Sequence, residues 1–322
     1  MTGRAALRIG TRGSALALWQ TEHIRELLTR NGCLTERVEI RTTGDMVQDV
    51  PLARIGSAAL FTRQIDEAML AGRIDLAVHS LKDLPTELPT GLVLAAVGER
   101  EDPSDALVGR GPMRWSDIPE GGAVATSSLR RKAQLLHARP DLQVRDVRGN
   151  VDTRLAKLDA ASDWSAILLA AAGLLRLGRA DRIGERLAPE VMLSAPGQGA
   201  LAVTARADDE RAITAAYNAV HHQVSAIAVA AERAFLRRME GGCQVPVAAL
   251  ARLDADGTLR LHGRVIALDG KRMAEGREAG PARDVDAAGR LGTVLAERLL
   301  HDGADEILAS IRARAAPAVP EP

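Results

Sequence analysis

Residues 74–85 read Ile-Asp-Leu-Ala-Val-His-Ser-Leu-Lys-Asp-Leu-Pro, an apolar run that leads into a short polar segment. The run Asp75–His79 is typical of a buried strand. Ser80–Pro85 is then the loop after that strand, so Lys82 and Asp83 stand directly at its end. Loops that follow the strands of an open α/β sheet line its ligand-binding edge. This segment therefore predicts an α/β fold and a place for its functional site.

Strands and helices alternate on both sides of this segment. Leu7–Gly10 is a predicted strand, and Ser14 is a predicted N-cap for a helix over Ala15–Arg30. The further predicted elements are a helix over Thr62–Ala71 and strands over Val38–Thr43, Leu92–Val97, Ala123–Ala125, Leu142–Val147, Ala166–Ala172 and Ala200–Ala205. This alternation predicts βαβ units around largely parallel sheets.

The pattern changes after residue 220. Apolar residues with helical spacing from Val224 to Phe235 predict a helix. Residues 245–280 show strand-like runs separated by Asp-Gly turns, which indicate an antiparallel meander, and a last helix is predicted over Val285–Arg312. We therefore expect three domains: an α/β domain from residues 1–99 and 199–219, a similar α/β domain from 100–198, and an α+β C-terminal domain from 220–322.

Composition excludes several classes of protein. The 322 residues include 42 Lys+Arg and 42 Asp+Glu, and this neutral balance argues against a protein that coats nucleic acid. Two cysteines, Cys33 and Cys243, are too few for a disulfide scaffold and lack the spacing of a metal site. The longest apolar run, Ala166–Leu175, is too short to span a membrane, and no secretory signal is evident. We expect a cytoplasmic protein with no metal, nucleic-acid or membrane partner.

All but four of the 42 basic residues are arginine, and three predicted strand-to-helix junctions carry arginines beside hydroxyl groups. These junctions are Arg12–Ser14, Thr126–Arg131 and Arg148–Arg154. A helix N-terminus binds anions, and arginine pairs with carboxylates through two parallel hydrogen bonds. Ordinary serine caps and solvated arginines would explain any one junction. Three junctions in two similar domains favour a ligand with several negative charges, held between the domains.

The local sequence allows two roles for each of two reactive groups, Asp83 and Cys243. Asp83 is either a turn cap or a carboxylate that handles a cation or a proton, because a carboxylate among arginines would not itself bind an anion. Cys243 follows two glycines and is either a small apolar residue or an accessible nucleophile and attachment point. His79 and Cys33 are predicted to be packing residues.

Taken together, the motifs resemble those of the porphobilinogen deaminase family. The matching segments occur in the family's order and cover nearly the whole chain: Ile9–Gln20, Ala77–Pro85, Gly98–Pro103, Thr126–Arg131, Arg148–Leu155, Ala172–Gly178, Pro196–Ala200 and Glu240–Pro246. The resemblance implies two domains like those of periplasmic binding proteins, followed by a smaller α+β domain. It also implies a dipyrromethane cofactor joined to Cys243 by a thioether.

The reaction implied by the resemblance is the condensation of four porphobilinogen molecules with loss of ammonia, followed by hydrolytic release of hydroxymethylbilane. Each porphobilinogen carries an acetate and a propionate, which suit arginine pairs. Ammonia loss leaves a cationic azafulvene, which the carboxylate of Asp83 can stabilise while it relays protons. We expect porphobilinogen as the small-molecule partner and a monomeric enzyme.

The resemblance also assigns site residues. It gives Asp83 the catalytic role. The residues implied to hold the cofactor are Cys243, Lys82, Asp83, Thr126, Ser128, Arg130, Arg131 and Arg148. Those implied to bind substrate are Arg12, Ser14, Phe61, Arg148, Arg154, Arg176 and Gln198.

One segment departs from the family pattern. The family's lid has the form G-G-x-G-L-F with a common lysine, whereas Arg54–Phe61 keeps Gly56, Leu60 and Phe61 but lacks two glycines and that lysine. The alternative function is a two-lobed anion-binding protein without catalysis, which would need neither Asp83 nor a covalent anchor at Cys243. A phosphate-handling enzyme is disfavoured because the chain lacks a Walker-type loop.

Overall fold

Three sheets contain the strands of the computed structural model, which describes residues 5–42, 62–239 and 245–315. The strands, in chain order, are β1 (Leu7–Thr11), β2 (Thr35–Glu39), β3 (Leu76–Ser80), β4 (Leu92–Val97), β5 (Asp105–Val108), β6 (Ala123–Ala125), β7 (Gln143–Arg145), β8 (Trp164–Ala170), β9 (Glu185–Arg186), β10 (Leu201–Arg206), β11 (Val247–Leu253), β12 (Thr258–Ile266) and β13 (Met273–Pro281). The helices are α1 (Ala15–Arg30), α2 (Arg63–Leu70), α3 (Leu129–Ala138), α4 (Val151–Ala160), α5 (Ala171–Arg176), α6 (Glu210–Val220), α7 (Gln223–Arg238), α8 (Val285–Leu299) and α9 (Asp305–Ala315).

The first two sheets have five strands each and are mixed. Their orders are β2-β1-β3-β10-β4 and β7-β6-β8-β5-β9. In the first sheet β10 runs antiparallel to β3 and β4, and in the second β5 runs antiparallel to β8 and β9. The third sheet, β11-β12-β13, is fully antiparallel. The predicted fold class, two α/β units and an α+β C-terminal unit with an antiparallel sheet, is confirmed.

Several predicted elements differ from the observed ones. The two α/β sheets are largely parallel, as expected, with one reversed strand in each, β10 and β5. Their direction was not predicted, because a buried strand has the same apolar run in either direction. The predicted strand over Val38–Thr43 lies earlier, at β2. The last predicted helix is two helices, α8 and α9, separated by an irregular turn in which Gly303 has a φ of +102°. A side chain rarely adopts this left-handed conformation, so glycine ends the first helix there.

The short helical turn Leu81–Asp83 is held by apolar packing on both sides of its polar residues. Leu81 and Leu84 are 1% and 4% exposed, and they belong to a buried cluster that includes Ala226 and Val229 of α7. The Leu81 amide also donates to the carbonyl of Ala200 at 3.0 Å. The position of this turn therefore depends on α7 as well as on the sheet from which it emerges.

Glu232, on α7, is fully buried and joins three parts of the chain. Its carboxylate accepts from Arg100 at 2.6 and 3.1 Å, from the Gly197 amide at 2.7 Å and from the Ala251 amide at 2.7 Å. Arg100 and Gly197 lie on the two segments that connect the first sheet to the second, and Ala251 lies on β11. One carboxylate thus ties both connecting segments to the C-terminal unit.

The Glu232→Gln variant should lose much of the stability of this junction. It leaves the Arg100 guanidinium buried without its counter-charge, which costs about 3–5 kcal/mol in the free energy of unfolding. The matched control is Glu297→Gln, whose partner Arg238 is on the surface at 3.3 Å, and it should cost less than about 1 kcal/mol. Chemical denaturation followed by circular dichroism measures both. Equal stability of the two variants would contradict the assigned role of Glu232.

Candidate active site

Lys82 and Asp83 occupy the short helical turn that follows β3, where the sequence predicted them. Lys82 Nζ donates to Gln198 Oε1 at 3.1 Å. Burial and the positive charges of Arg131 and Arg130 together lower the pKa of Lys82 to about 8, against the opposing effect of Asp83 and Asp105. Groups from the first and second sheets therefore act on one ammonium.

Asp105, the first residue of β5, is the buried counter-ion of two arginines. Its carboxylate accepts from Arg130 at 2.7 and 3.1 Å and from Arg131 Nε at 2.8 Å. Gln198 Nε2 also donates to it at 3.1 Å. Burial acts to raise the pKa of Asp105, but the two guanidinium groups outweigh it and hold that pKa well below its usual range. Two arginine charges and Lys82 thus share one deeply buried carboxylate.

The remaining donors of Arg130 and Arg131 are also directed by the second sheet and its loops. Arg130 Nη1 donates to the carbonyl of Leu193 at 2.7 Å, and Arg131 Nη1 donates to that of Leu168 at 3.0 Å. Both side chains are only 6% exposed. These contacts fix both guanidinium groups. Since Asp105 balances only one of their two positive charges, one positive charge remains at a defined position.

Hydroxyl groups shape the junction at the start of α3. Ser128 Oγ accepts from the Arg131 amide at 3.4 Å, and Thr126 Oγ1 accepts from the Ser128 amide at 3.2 Å. Ser14 caps α1 in the same way, since its Oγ accepts from the Ala17 amide at 3.3 Å. The predicted Ser14 cap is confirmed, and the structure adds Ser128 as the cap of α3.

Arg154, on α4, lies in the same electrostatic environment as Asp83. Its Nε donates to the Gly149 carbonyl at 2.8 Å. Burial and the charges of Arg131 and Arg148 together lower the pKa of Arg154 to about 10, and Asp83 opposes them. Among the described residues, no carboxylate lies within ion-pair distance of Arg154. The guanidinium is thus held close to other cations, with Asp83 as an opposing charge from the first sheet.

Arg176, at the end of α5, connects the second sheet to α1. Its Nη2 donates to the carbonyl of Gly199 at 2.6 Å, and its guanidinium carbon lies 5.8 Å from the centre of the Trp19 ring. Burial lowers the pKa of Arg176 to about 10, against the opposing charge of Glu101. Across the portion of the chain that is described, no ion pair joins Arg176 to a carboxylate.

His79 is a buried packing residue, as predicted. It is 6% exposed, and its Nε2 lies 3.3 Å from Thr204 Oγ1. Burial, assisted by the positive charge of Arg12, lowers the pKa of His79 to about 4, so its ring is neutral at pH 7. Arg12 is therefore close enough to β3 to act on it electrostatically.

The structure brings together Lys82, Asp83, Arg130, Arg131 and Arg154, from elements far apart in sequence. Gln198, predicted to bind substrate, is fully buried and links Lys82 to Asp105. Cys243 and Phe61, with the lid segment Arg54–Phe61, lie outside the described residues.

Sequence reasoning missed the structural carboxylates. Asp105 opens an apolar run, Asp-Ala-Leu-Val, close to the predicted boundary between the first two domains. Glu232 stands within the apolar stripe of α7, between Ala231 and Phe235. A charged residue inside a predicted buried run is the signal that could have identified both, because such charges need a buried partner.

Asp83 differs from these two carboxylates. No hydrogen bond or ion pair joins its side chain to another residue in the described ranges, although its charge acts on Lys82 and Arg154. The site therefore combines fixed, partly buried cations with one half-buried carboxylate. This is the arrangement expected of an α/β protein that binds a polycarboxylate and acts on a cationic group.

Two structural features are absent from the described parts of the chain. None of their helices is both long and apolar enough to cross a membrane. Nor do they contain a group of three or more His, Cys, Asp or Glu side chains that could hold a metal ion.

Comparison with known proteins identifies the family. Residues 7–214 match "Porphobilinogen deaminase, dipyromethane cofactor binding domain", and residues 226–301 match "Porphobilinogen deaminase, C-terminal domain". The porphobilinogen deaminase of Geobacter metallireducens is 50% identical over 310 residues, which cover 96% of this chain and 95% of that protein. That of Desulforudis audaxviator is 50% identical over 316 residues, covering 97% of this chain and 100% of that protein.

Among solved structures, the methionine-binding protein MetQ is similar, with a TM-score of 0.42 and 12% identity over 66% of this chain and 89% of that one. A periplasmic substrate-binding protein from Coxiella burnetii gives a TM-score of 0.42 and 15% identity over 67% and 92%. The sequence comparisons establish that the chain belongs to the porphobilinogen deaminase family. It is a transferase of tetrapyrrole biosynthesis with a dipyrromethane-binding domain.

The lowered pKa of Lys82 predicts a pH dependence. A lysine pKa of about 8, instead of 10.5, means that the ammonium loses its proton as the pH rises through 8. We expect kcat/KM for porphobilinogen to fall between about pH 7 and pH 9, because a neutral amine no longer attracts carboxylates. In Lys82→Arg the charge persists, so this fall should disappear from the pH–rate profile. If the fall persisted in Lys82→Arg, deprotonation of Lys82 would not be its cause.

Proposed function

We propose that the cationic cluster and Asp83 form the active site for head-to-tail condensation of four porphobilinogen molecules. Chain growth starts on a dipyrromethane primer, and hydrolysis then releases hydroxymethylbilane. The observation that supports this most directly is the position of Asp83, a carboxylate without a bonded partner among the described residues, beside Lys82 and Arg154. An anion-binding protein would bind more tightly without this carboxylate, so the non-catalytic alternative is not favoured.

The donor set fits a ligand with many carboxylates. Arg154 and Arg176 are partly buried cations with pKa values lowered to about 10, and Lys82 is lowered to about 8. Each is held in place by contacts to uncharged oxygens, at the carbonyls of Gly149 and Gly199 and at the Gln198 amide. Incoming carboxylates would stabilise the charged forms and relieve the repulsion between neighbouring cations.

We assign the cationic and hydroxyl groups to two ligands. The cofactor is held by Lys82, Asp83, Thr126, Ser128, Arg130, Arg131 and Arg148, and the substrate and growing chain by Arg12, Ser14, Phe61, Arg148, Arg154, Arg176 and Gln198. The bound dipyrromethane supplies the pyrrole carbon from which the chain grows. Arg130 and Arg131 contribute mainly as fixed positive charge, because Asp105 already accepts from both.

Asp83 acts on porphobilinogen itself. The substrate's aminomethyl group reacts in its protonated form: the carbon–nitrogen bond breaks, ammonia leaves with the bonding electrons, and an azafulvene cation remains. The Asp83 carboxylate stabilises this cation and directs it to the free pyrrole carbon, where the new carbon–carbon bond forms. Asp83 would also accept the proton that the attacked pyrrole carbon releases when the new bond forms.

Cys243 is assigned as the attachment point, through a thioether between its sulfur and the cofactor. It stands four residues after Met239, the residue that caps α7. We also propose that the domain limits are residues 1–99 with 199–219, 100–198 and 220–322, and that the enzyme is a cytoplasmic monomer.

The mass of the purified protein tests the attachment. Protein made in cells that synthesise porphobilinogen should be heavier than its sequence by one dipyrromethane unit, and peptide mapping should place that mass on the peptide that contains Cys243. Cys243→Ser should lose the added mass. Cys33→Ser, the matched control, should retain it. An unmodified wild-type mass would refute the proposed linkage.

Substitution of Asp83 tests catalysis separately from binding. Asp83→Asn keeps the shape of the side chain but removes its charge and its capacity to relay a proton, so bilane formation should slow at least about 100-fold. Asp83→Glu should retain more activity, because it keeps the carboxylate. The measurements are uroporphyrin absorbance formed from porphobilinogen and a circular dichroism spectrum. Near-normal turnover by folded Asp83→Asn would exclude the proposed mechanism.

A further inference from the structure

Arg233, on α7, contacts the main chain just after the Asp83 turn. Its Nη2 donates to the carbonyl of Pro85 at 2.8 Å and to that of Thr86 at 3.1 Å. These two carbonyls lie two and three residues beyond Asp83. The guanidinium thus fixes the chain at the point where it leaves the turn.

The same side of α7 packs against the turn itself. Ala226, Val229 and Arg233 are separated by three and four residues, the spacing that places side chains on one face of a helix. Ala226 and Val229 share a buried cluster with Leu81 and Leu84, which flank Lys82 and Asp83 in sequence. This face of α7 therefore supports the turn by apolar packing at one end and by Arg233 at the other.

Burial of the Arg233 guanidinium at this position is energetically unfavourable. Burial, with the nearby charge of Arg237, lowers its pKa to about 10. Within the described ranges no carboxylate pairs with it, in contrast to Arg100 on Glu232. Its hydrogen-bond partners in those ranges are the two carbonyls after the turn, so its contribution lies in the geometry of that segment.

We propose that Arg233 is a positioning residue for the condensation reaction, acting through Asp83 by holding the Leu81–Thr86 segment against α7. This inference rests on the proposed function for the role of Asp83. A displaced carboxylate would still be present and charged but would be wrongly placed toward the cation that forms from the substrate.

A double-mutant cycle tests this coupling. Arg233→Met keeps the length and the apolar stem but removes the donors, and we expect kcat to fall about 10-fold with KM for porphobilinogen changed less than about 2-fold. In the Asp83→Asn background the same substitution should cost less than about 2-fold, because the group it positions is already disabled. Arg233→Lys should recover part of the loss. The control is Arg238→Met, on the surface of the same helix, which should leave kcat unchanged.

Hydrogen exchange provides a readout that does not require turnover. Peptides covering residues 81–88 should exchange faster in Arg233→Met than in wild type, while Arg238→Met should leave them unchanged. An equal fold-loss of kcat in both backgrounds, or exchange unchanged in that segment, would overturn the proposal. If Arg233→Met fails to fold, the same cycle with Arg233→Lys decides. A wild-type enzyme that makes no bilane would refute the proposed function. The exchange result would still decide whether Arg233 holds residues 81–88 in place.

Discussion

The arrangement of the molecule depends on the hydrogen bonds that the buried carboxylate of Glu232 accepts. Its desolvation is offset by hydrogen bonds from the Arg100 guanidinium and from the amides of Gly197 and Ala251. Because these donors come from both connecting segments and from β11, α7 has one favourable position relative to all three. The helix then carries that position to the Asp83 turn through the packing of Ala226 and Val229.

A second carboxylate, Asp105, organises the cations. It holds Arg130 and Arg131 with good geometry but balances only one of their two charges, and Lys82 adds a third positive group nearby. The lowered pKa values of Lys82 and Arg154 are the consequence, because each cation is buried near others. The free-energy cost of burying these cations is incurred when the protein folds. Ligand carboxylates therefore meet donors that need little reorganisation.

The sequence predicted local features better than the pairings between distant residues. Helix α1 and its Ser14 cap, the strand before Lys82 and the Asp-Gly turns of the last sheet follow from short patterns, which depend on neighbours within a few positions. The direction of β5 and β10 does not, because a buried strand shows the same apolar run either way. Asp105 pairs with residues 25 and 26 positions away, and Glu232 with one 132 away. No local pattern records such partners.

The three carboxylates also explain how one site can bind anions and stabilise a cation. Asp105 and Glu232 are fully buried and engaged by several donors each, so their charges are neutralised within the protein. Asp83 is half-buried and has no bonded partner among the described residues, so its charge remains available. Lys82 and Arg154 would repel a cation formed beside them, whereas the Asp83 carboxylate that acts on both would attract it. Under the proposed function, the arginine cluster binds the carboxylates of the substrate, and Asp83 supplies the opposite charge for the cation that the reaction forms.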